Sequence, residues 1–425
     1  MVLHPRERRS RLWTRREMLW RSAALGLSLP TVSAILAACG DGAGGESVEI
    51  VIGTPSQPAT QPLSDDNPAI ESGLPPESGP LRVYNWSDYI FTETIAAAEE
   101  ALGVDIELTT FFNEEVAFGA LLAGEVPYDL WFPSGESIGK AVAGQLIQPL
   151  NHDYLPNLEP NIWPELVNPF YDQGARYSVP YVVYQTGIGW RTDLVDDADV
   201  TELANPWEVF WNSKYRGITG LYDDFRETMQ MAMFRNGIAE PRDASPEQVA
   251  AAADALIELV DSMGIRYTID GTYQGIPEAR FGLHLAWSGD MINAQYYFPE
   301  GGDPAVLRYL WPPRAPNSTV HGLVANDTMA IVRGCEHPVL AHQFLNFMLD
   351  EANALHNFSW LGYQPPQNNL DIDTLVADEW IPENLASAVV TREDFSAPGA
   401  TVPTQLTPET EALWLENWNR VVAGG

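Results

Sequence analysis

Lysine is nearly missing from this 425-residue chain. Only Lys140 and Lys214 occur, and 23 Lys+Arg face 58 Asp+Glu, for a formal net charge of −35. A surface with that excess of anions repels phosphate backbones, which excludes a general nucleic-acid binder. Cysteine is as scarce: Cys39 and Cys335 alone make neither a disulfide framework nor a cysteine-rich metal site. No Gly-rich phosphate loop and no H-E-x-x-H pattern occurs, so nucleotide-cradling and zinc-protease chemistry have no local signature. Apolar material is plentiful, with 45% hydrophobic residues, 11% aromatics and 14 Trp. Sizeable cores are therefore expected, and the length suggests two or three domains.

Positive charge is densest at the N-terminus. Arg6, Arg8, Arg9, Arg11, Arg15, Arg16 and Arg21 are opposed only by Glu7 and Glu17, and the apolar or small run Ser22–Ala38 follows. That run is short for a membrane span, contains Pro30, and has the basic front of an export signal. Thr14-Arg15-Arg16-Glu17-Met18-Leu19 resembles a twin-arginine motif, and Leu36-Ala37-Ala38-Cys39-Gly40 resembles a lipobox. The expectation is that residues 1–38 are removed, that Cys39 is acylated, and that the remainder is exported and held to the membrane by lipid.

Residues 40–80 hold seven Gly, seven Pro and seven acids, with no aromatic and no Lys or Arg. Such a composition cannot bury enough of its own surface to offset the entropy of ordering. Residues 39–80 are thus read as the acylated Cys plus a disordered tether.

From Leu81 the pattern alternates between β-like and helical runs. Strands are expected at 81–85, 105–111 and 128–132, each followed by a helix, at 92–102, 114–124 and 137–146. Tyr177–Trp190, with Gly187 and Gly189 inside, reads as a long β-rich crossing between lobes rather than one core strand. A second α/β set follows, with helices at 225–236 and 246–263, strands at 218–221, 283–287 and 306–311, then strand 328–332, helix 338–348 and a C-terminal helix at 411–422. This order implies a mostly parallel sheet with ligands beyond the strand carboxyl ends.

Two enzyme or metal signals compete for attention. Gly135-Glu136-Ser137-Ile138-Gly139 is a G-x-S-x-G between strand and helix, where a hydrolase nucleophile would stand, with His284, His321, His337, His342 and His356 as candidate bases. Its plain reading is a helix cap. Tyr296-Tyr297 offers phenolates for ferric ion, against the plainer reading of packing. A broader pattern sets acids beside aromatics at strand ends: Trp86-Ser87-Asp88-Tyr89, Asp223-Asp224 with Glu227, Trp287-Ser288-Gly289-Asp290, and Asn326-Asp327. Carboxylates neutralise and hydrogen-bond ammonium groups, while indole and phenol faces cover methylenes and attract cations. A dication or polycation with an alkyl spacer needs both.

Those segments, with Tyr84-Asn85-Trp86-Ser87-Asp88-Tyr89-Ile90, Tyr128-Asp129-Leu130-Trp131-Phe132-Pro133-Ser134, Tyr177-Ser178-Val179-Pro180-Tyr181, Asp223-Asp224-Phe225-Arg226-Glu227, Asp327-Thr328-Met329-Ala330-Ile331 and Gly362-Tyr363-Gln364-Pro365, resemble the periplasmic putrescine/spermidine-binding proteins of bacterial polyamine ABC transporters. The resemblance covers residues 81–425. It implies an α/β, two-lobed periplasmic-binding-protein-like fold of the class II type, with ligand in the interlobe cleft. Lobe one would be 81–184 plus 327–371, and lobe two 185–326 plus 372–425 with the hinge segments. It places Trp86, Ser87, Asp88, Tyr89, Ser134, Glu136, Asp224, Glu227, Trp287, Asp290, Asp327 and Tyr363 at the ligand, with Glu136 where the family has Tyr or Ser. Glu136 would add a place for a third ammonium. The implied partners are a polyamine, ABC permease subunits with their ATPase, and the membrane through Cys39. A monomer with no cofactor, no metal and no catalysis is expected.

Overall fold

The computed structural model describes residues 50–124, 126–316 and 318–423. The export signal and Cys39 lie outside these residues. Strands β1 (Leu81–Trp86), β2 (Ile106–Phe111) and β3 (Leu130–Trp131) pair in parallel, with Leu81 opposite Ile106 and Val83 opposite Leu130. Helix α1 (Thr92–Leu102) joins β1 to β2, and α2 (Glu114–Ala123) joins β2 to β3; α3 (Ile138–Ala143) follows β3. α2 starts where the Asn113 side chain accepts the Val116 N–H, a standard cap for an orphan donor.

The stretch from 177 to 190 does cross between the halves, but as one continuous core strand, β4 (Ser178–Arg191), buried along all but its last residue, because each segment finds a partner on its own side. Up to Gln185 it pairs antiparallel with β9 (Gly322–Ile331). From Thr186 it pairs with β7 (Leu283–Trp287) and, from Ile188, with β8 (Leu307–Leu310). Gly187 and Gly189 lie where the partners press closest. A Cβ at Gly187 would stand 2.4 Å from the Leu310 carbonyl oxygen, and one at Gly189 2.4 Å from Met291 Sδ. Side chains there would push the sheet apart.

On the far side, β5 (Thr219–Leu221) pairs in parallel with β6 (Arg266–Tyr267) and β7. The full ladder runs β2-β1-β3-β9-β4-β7-β5-β6, with β8 beside β4 and β10 (Ala400–Thr401) beside β9. Helices α4 (Phe225–Arg235) and α5 (Pro246–Met263) cover this second half, and α6 (Ser288–Asn293) leaves β7. α7 (Pro338–Met348) and α8 (Glu351–Leu361) return to the first half; α8 had no counterpart in the sequence reading. The terminal α9 (Pro408–Ala423) packs on α4 and α5.

Two buried clusters result. One runs from Leu81, Leu130 and Val179 to Phe344, and continues through the crossing strands to Tyr309 and Leu385. The other gathers Trp207, Phe210, Met229, Leu256 and Trp414. Two cores linked by crossing strands are the physical basis of a two-lobed α/β molecule.

The tether expectation is corrected over residues 50–80. This stretch lies on the first half as an irregular strap with Ala59 and Gln61 buried. Gln61 Nε2 donates to the Tyr171 and Val51 carbonyls at 2.8 and 3.1 Å, and Ala59 N–H donates to the Phe170 carbonyl. Asn67 reaches the Ile147 carbonyl, Tyr177 OH donates to the Pro62 carbonyl, and the Glu77 carboxylate accepts the Val339 and Leu340 N–H groups at the start of α7. Composition measures whether a segment can bury itself. It is silent on whether a neighbouring surface offers donors, acceptors and a ready-made apolar floor.

Candidate ligand-binding site

All twelve residues singled out in the sequence line one cleft of about 950 Å³, open solvent at its mouth included. The reason is topological: β1 and β3 run toward the division from the first half, while β5 and β7, opposite in direction to them through β9 and β4, run toward it from the second, so the loops at their carboxyl ends face one another.

The loop after β1 turns at Asp88, whose φ of 53° is the left-handed conformation that Asp tolerates better than most side chains. That turn points Tyr89 inward, where its hydroxyl donates to Asp327 Oδ2 at 2.7 Å. Trp86 donates its indole N–H to the Phe132 carbonyl and leans on Phe111, and Ser87 N–H reaches the Phe111 carbonyl. Ser134 forms a bridge with Asp327 across β3 and β9. Asp224 caps α4 by accepting the Glu227 N–H at 3.0 Å, so the plain helix-cap reading and a place in the cleft hold together.

Asp290 is held by two phenols. Tyr222 OH donates to Oδ2 at 2.8 Å and Tyr363 OH to Oδ1 at 2.7 Å. The Tyr222 ring also stacks on Trp287 at 3.8 Å, and its hydroxyl accepts the Trp287 backbone N–H. Tyr363 meets Tyr89 edge-on at 4.8 Å and lies so close to Gly289 that a Cβ there would sit 2.3 Å from its ring. Aromatic walls thus frame both carboxylates.

Burial shapes the charge. Desolvation raises Asp327 to about 8 and Asp290 to about 7, against the partial opposition of their tyrosine hydrogen bonds. Glu227 is raised to about 8 by burial and then by the neighbouring Asp224. Glu114 rises to about 7, and Glu136 and Asp224 also rise, burial leading in each case and Arg226 opposing it. Asp327 Oδ1 has no hydrogen-bond partner among the described residues. Glu227 Oε2, Thr186 Oγ1 and Trp287 Nε1 lie near one another without completing one. Buried polar atoms left this way are costly, and a ligand donor removes part of the cost.

Several cleft residues were missed. Tyr184 comes from mid-β4, Tyr273 from a short helical turn, and Tyr222 supports the wall from just behind Trp287. Glu114 stands at the start of α2, where acids are ordinary. Its signal was the serine pair it serves: Glu114 Oε1 accepts the Ser134 N–H at 2.9 Å, and Oε2 accepts the Ser137 hydroxyl at 2.8 Å.

That contact corrects the hydrolase reading. The Ser137 hydroxyl is given to a carboxylate, and the candidate bases are occupied elsewhere. His284 lies against Thr272 and the Leu285 carbonyl, His337 against Asp129, His342 against Pro338, His356 against Thr94 and His321 against Thr401. The ferric reading fares no better. Tyr296 OH donates to the Ser359 carbonyl at 2.5 Å, and no group of three or more His, Cys, Asp or Glu placed to hold a metal occurs among the described residues. Nor is any helix among them long and apolar enough to cross a membrane.

Comparison with known proteins bears on the fold and the family. The spermidine/putrescine-binding periplasmic protein of Escherichia coli K12 is 26% identical over 304 residues, covering 71% of this chain and 81% of that protein. The putrescine-binding periplasmic protein PotF of the same organism is 26% identical over 286 residues, covering 65% and 75%. Among solved structures, the spermidine/putrescine transporter substrate-binding protein PotD of Streptococcus pneumoniae aligns with a TM-score of 0.62 at 23% identity, over 81% of this chain and 98% of that one. The TpPotD lipoprotein of Treponema pallidum aligns at 0.64 and 21% identity, over 80% and 98%. The family model described as bacterial extracellular solute-binding protein matches residues 93–382, and the chain belongs to that family.

Proposed function

We propose that this protein captures a polyamine, putrescine or spermidine, outside the cytoplasm and delivers it to the permease subunits and ATPase of an ABC importer, without catalysis of its own. One observation carries the reading. Glu227, Asp290 and Asp327 are buried in one aromatic-walled cleft, raised to about 7 or 8, and in ion pairs with no lysine or arginine among the described residues. Such carboxylates bind protons until cations replace them. Ammonium groups on an alkyl chain do this, while the methylenes lie on Trp287 and Tyr363.

Closure follows from the same chemistry. Asp327 belongs to one lobe and Asp290 to the other, so a bridging dication favours the state that holds both. The hinge is placed where β4 changes partner between Gln185 and Thr186, and near Val324–Asn326 on β9. Cys39 is the proposed lipid attachment, and the protein is proposed to act as a monomer. Replacing Cys39 by Ser should release or mislocalise the protein, which cell fractionation reads directly.

The test is calorimetry of the purified protein with putrescine, spermidine and a monoamine control. Saturation by a polyamine with a stoichiometry near one is the expected result, and at 100 times the dissociation constant it should add about 2.7 kcal/mol of stability. Absence of heat and of thermal stabilisation with every polyamine tried would overturn the reading.

A further inference from the structure

Four charged side chains meet between the lobes without belonging to the ligand walls alone. Lys140 of α3 places Nζ 2.8 Å from Glu411 Oε1 of α9, and the two side chains are only 2% and 6% exposed. The same Glu411 oxygen accepts from Arg226 Nη2 of α4. Arg226 Nη1 in turn lies 2.5 Å from Glu115 Oε1 of α2. Helices α2 and α3 belong to the β1–β3 half, whereas α4 and α9 pack together on α5 in the second core. The chain of charges therefore crosses the division twice. Lys140 is fixed on its own side by lying over the Phe118 ring, 5.0 Å from its centroid.

Such pairs contribute little net stability, because desolvation offsets most of the Coulomb attraction. Their effect lies in choosing between arrangements. With the lobes together every member has a partner. With the lobes apart Lys140 loses Glu411 and Arg226 loses Glu115 at once, which leaves Lys140 the more distant Glu115 and Glu136 and leaves Arg226 Glu411 and Asp224. Of the four, only Arg226 lines the cleft.

We propose that Lys140, Glu411, Arg226 and Glu115 form an interlobe latch that biases the protein toward the closed cleft before ligand arrives. Lys140 and Glu411 are then positioning residues for a ligand they do not touch. The latch slows entry and exit alike, because both require the charges to part. For its kinetic consequences the latch rests on the ligand-cleft reading; for its effect on shape it does not.

The test uses Lys140→Met, Glu411→Gln and the double variant. Small-angle scattering of the ligand-free proteins should show a larger radius of gyration in each single variant than in the parent. Stopped-flow binding of putrescine should show both kon and koff raised, koff at least tenfold in Glu411→Gln, where buried Lys140 loses its 2.8 Å partner. The double variant leaves no buried charge stranded, so its koff should rise less than the product of the single effects. It also keeps the test alive if Glu411→Gln fails to fold. Scattering and rates equal to the parent would overturn the latch, as would a lowered melting temperature with kon unchanged or reduced, the mark of a merely structural pair. If the parent binds neither putrescine nor spermidine, the functional reading fails while the scattering still decides the latch.

Discussion

Two buried charge clusters lie side by side in this molecule and solve the same problem in opposite ways. In the interlobe network, Lys140 and Arg226 neutralise Glu411 and Glu115 with short contacts inside the chain. In the cleft, Asp290, Asp327 and Glu227 are buried like Lys140 and Glu411, but phenols hold Asp290 and Asp327, and Glu227 stands beside another acid, Asp224. The first cluster is complete and selects an arrangement of the lobes. The second has no such partner among the described residues, and burial raises the proton affinity of each of its acids. Burial of an acid, then, does not by itself mark a ligand site: Asp172 is fully buried without an ion pair among the described residues, yet it lies outside the cleft and is served by three backbone N–H groups and the Ser178 hydroxyl.

The sharpest way to break this comparison is to remove a carboxylate from the incomplete cluster. Asp327→Asn should weaken putrescine binding by at least tenfold in calorimetry, since losing one partner of a desolvated charge pair costs about 2–5 kcal/mol. The ligand-free protein should melt at the parent temperature or slightly above, because Asn replaces an acid that burial already keeps largely protonated. A lost fold with retained affinity would make Asp327 a structural residue instead.

Acidity offers a second route, of smaller effect. Asp290, Asp327 and Glu227 hold protons in the folded state up to about pH 7 or 8, whereas in the unfolded chain they release them near 4. Between those limits the folded state binds more protons, so their contribution to ligand-free stability falls as pH rises from about 5 to 8. Ligand binding runs the other way. An ammonium needs the ionised carboxylate, so affinity should rise over pH 6–8, and calorimetry at pH 7 in two buffers of different ionisation enthalpy should show proton release. Binding heats independent of buffer would contradict the assignment.

A third test probes the strap at Glu77, where it meets the start of α7. Glu77→Ala removes the acceptor for two N–H groups at the start of α7, and should cost roughly 1 kcal/mol of unfolding free energy in urea with putrescine affinity unchanged. Identical denaturation curves would mean the strap does not stabilise the first core.

The smallest effect is expected at Ser137. Its hydroxyl serves Glu114, not a reaction, so Ser137→Ala should leave no hydrolytic activity to lose and should change putrescine affinity by less than about threefold. An esterase activity of the parent that vanished in this variant would reinstate the nucleophile.

Most secondary structure was readable because periodicity and caps are local properties. α1 spans Thr92–Leu102 and α5 spans Pro246–Met263 as the apolar spacing indicated. β4 was readable as a crossing because two glycines in a β-rich run imply close approach, although which strands approached was not. α8 was missed since its apolar face is defined only by the helices it meets. Glu136 illustrates the same limit at the site. The sequence shows an added acid; the fold sets Arg226, Glu114 and Asp224 around it, so its charge is already shared.

By itself the sequence determined what lies at the strand ends: acids beside indoles and phenols, almost no lysine, and an alternating order of strands and helices. These are consequences of residue order, and no long-range contact is needed to see them. Tertiary structure alone decided which acids received an internal cation and which did not. Glu115 and Glu411 found Arg226 and Lys140 through contacts spanning from 111 to 271 residues of chain, while Asp290 and Asp327 found only tyrosines. It likewise decided that residues 50–80 lie against a core, because a segment unable to bury itself is held by the surface another segment provides. Pairing and docking of this kind depend on distance in space, which the order of residues along the chain does not carry.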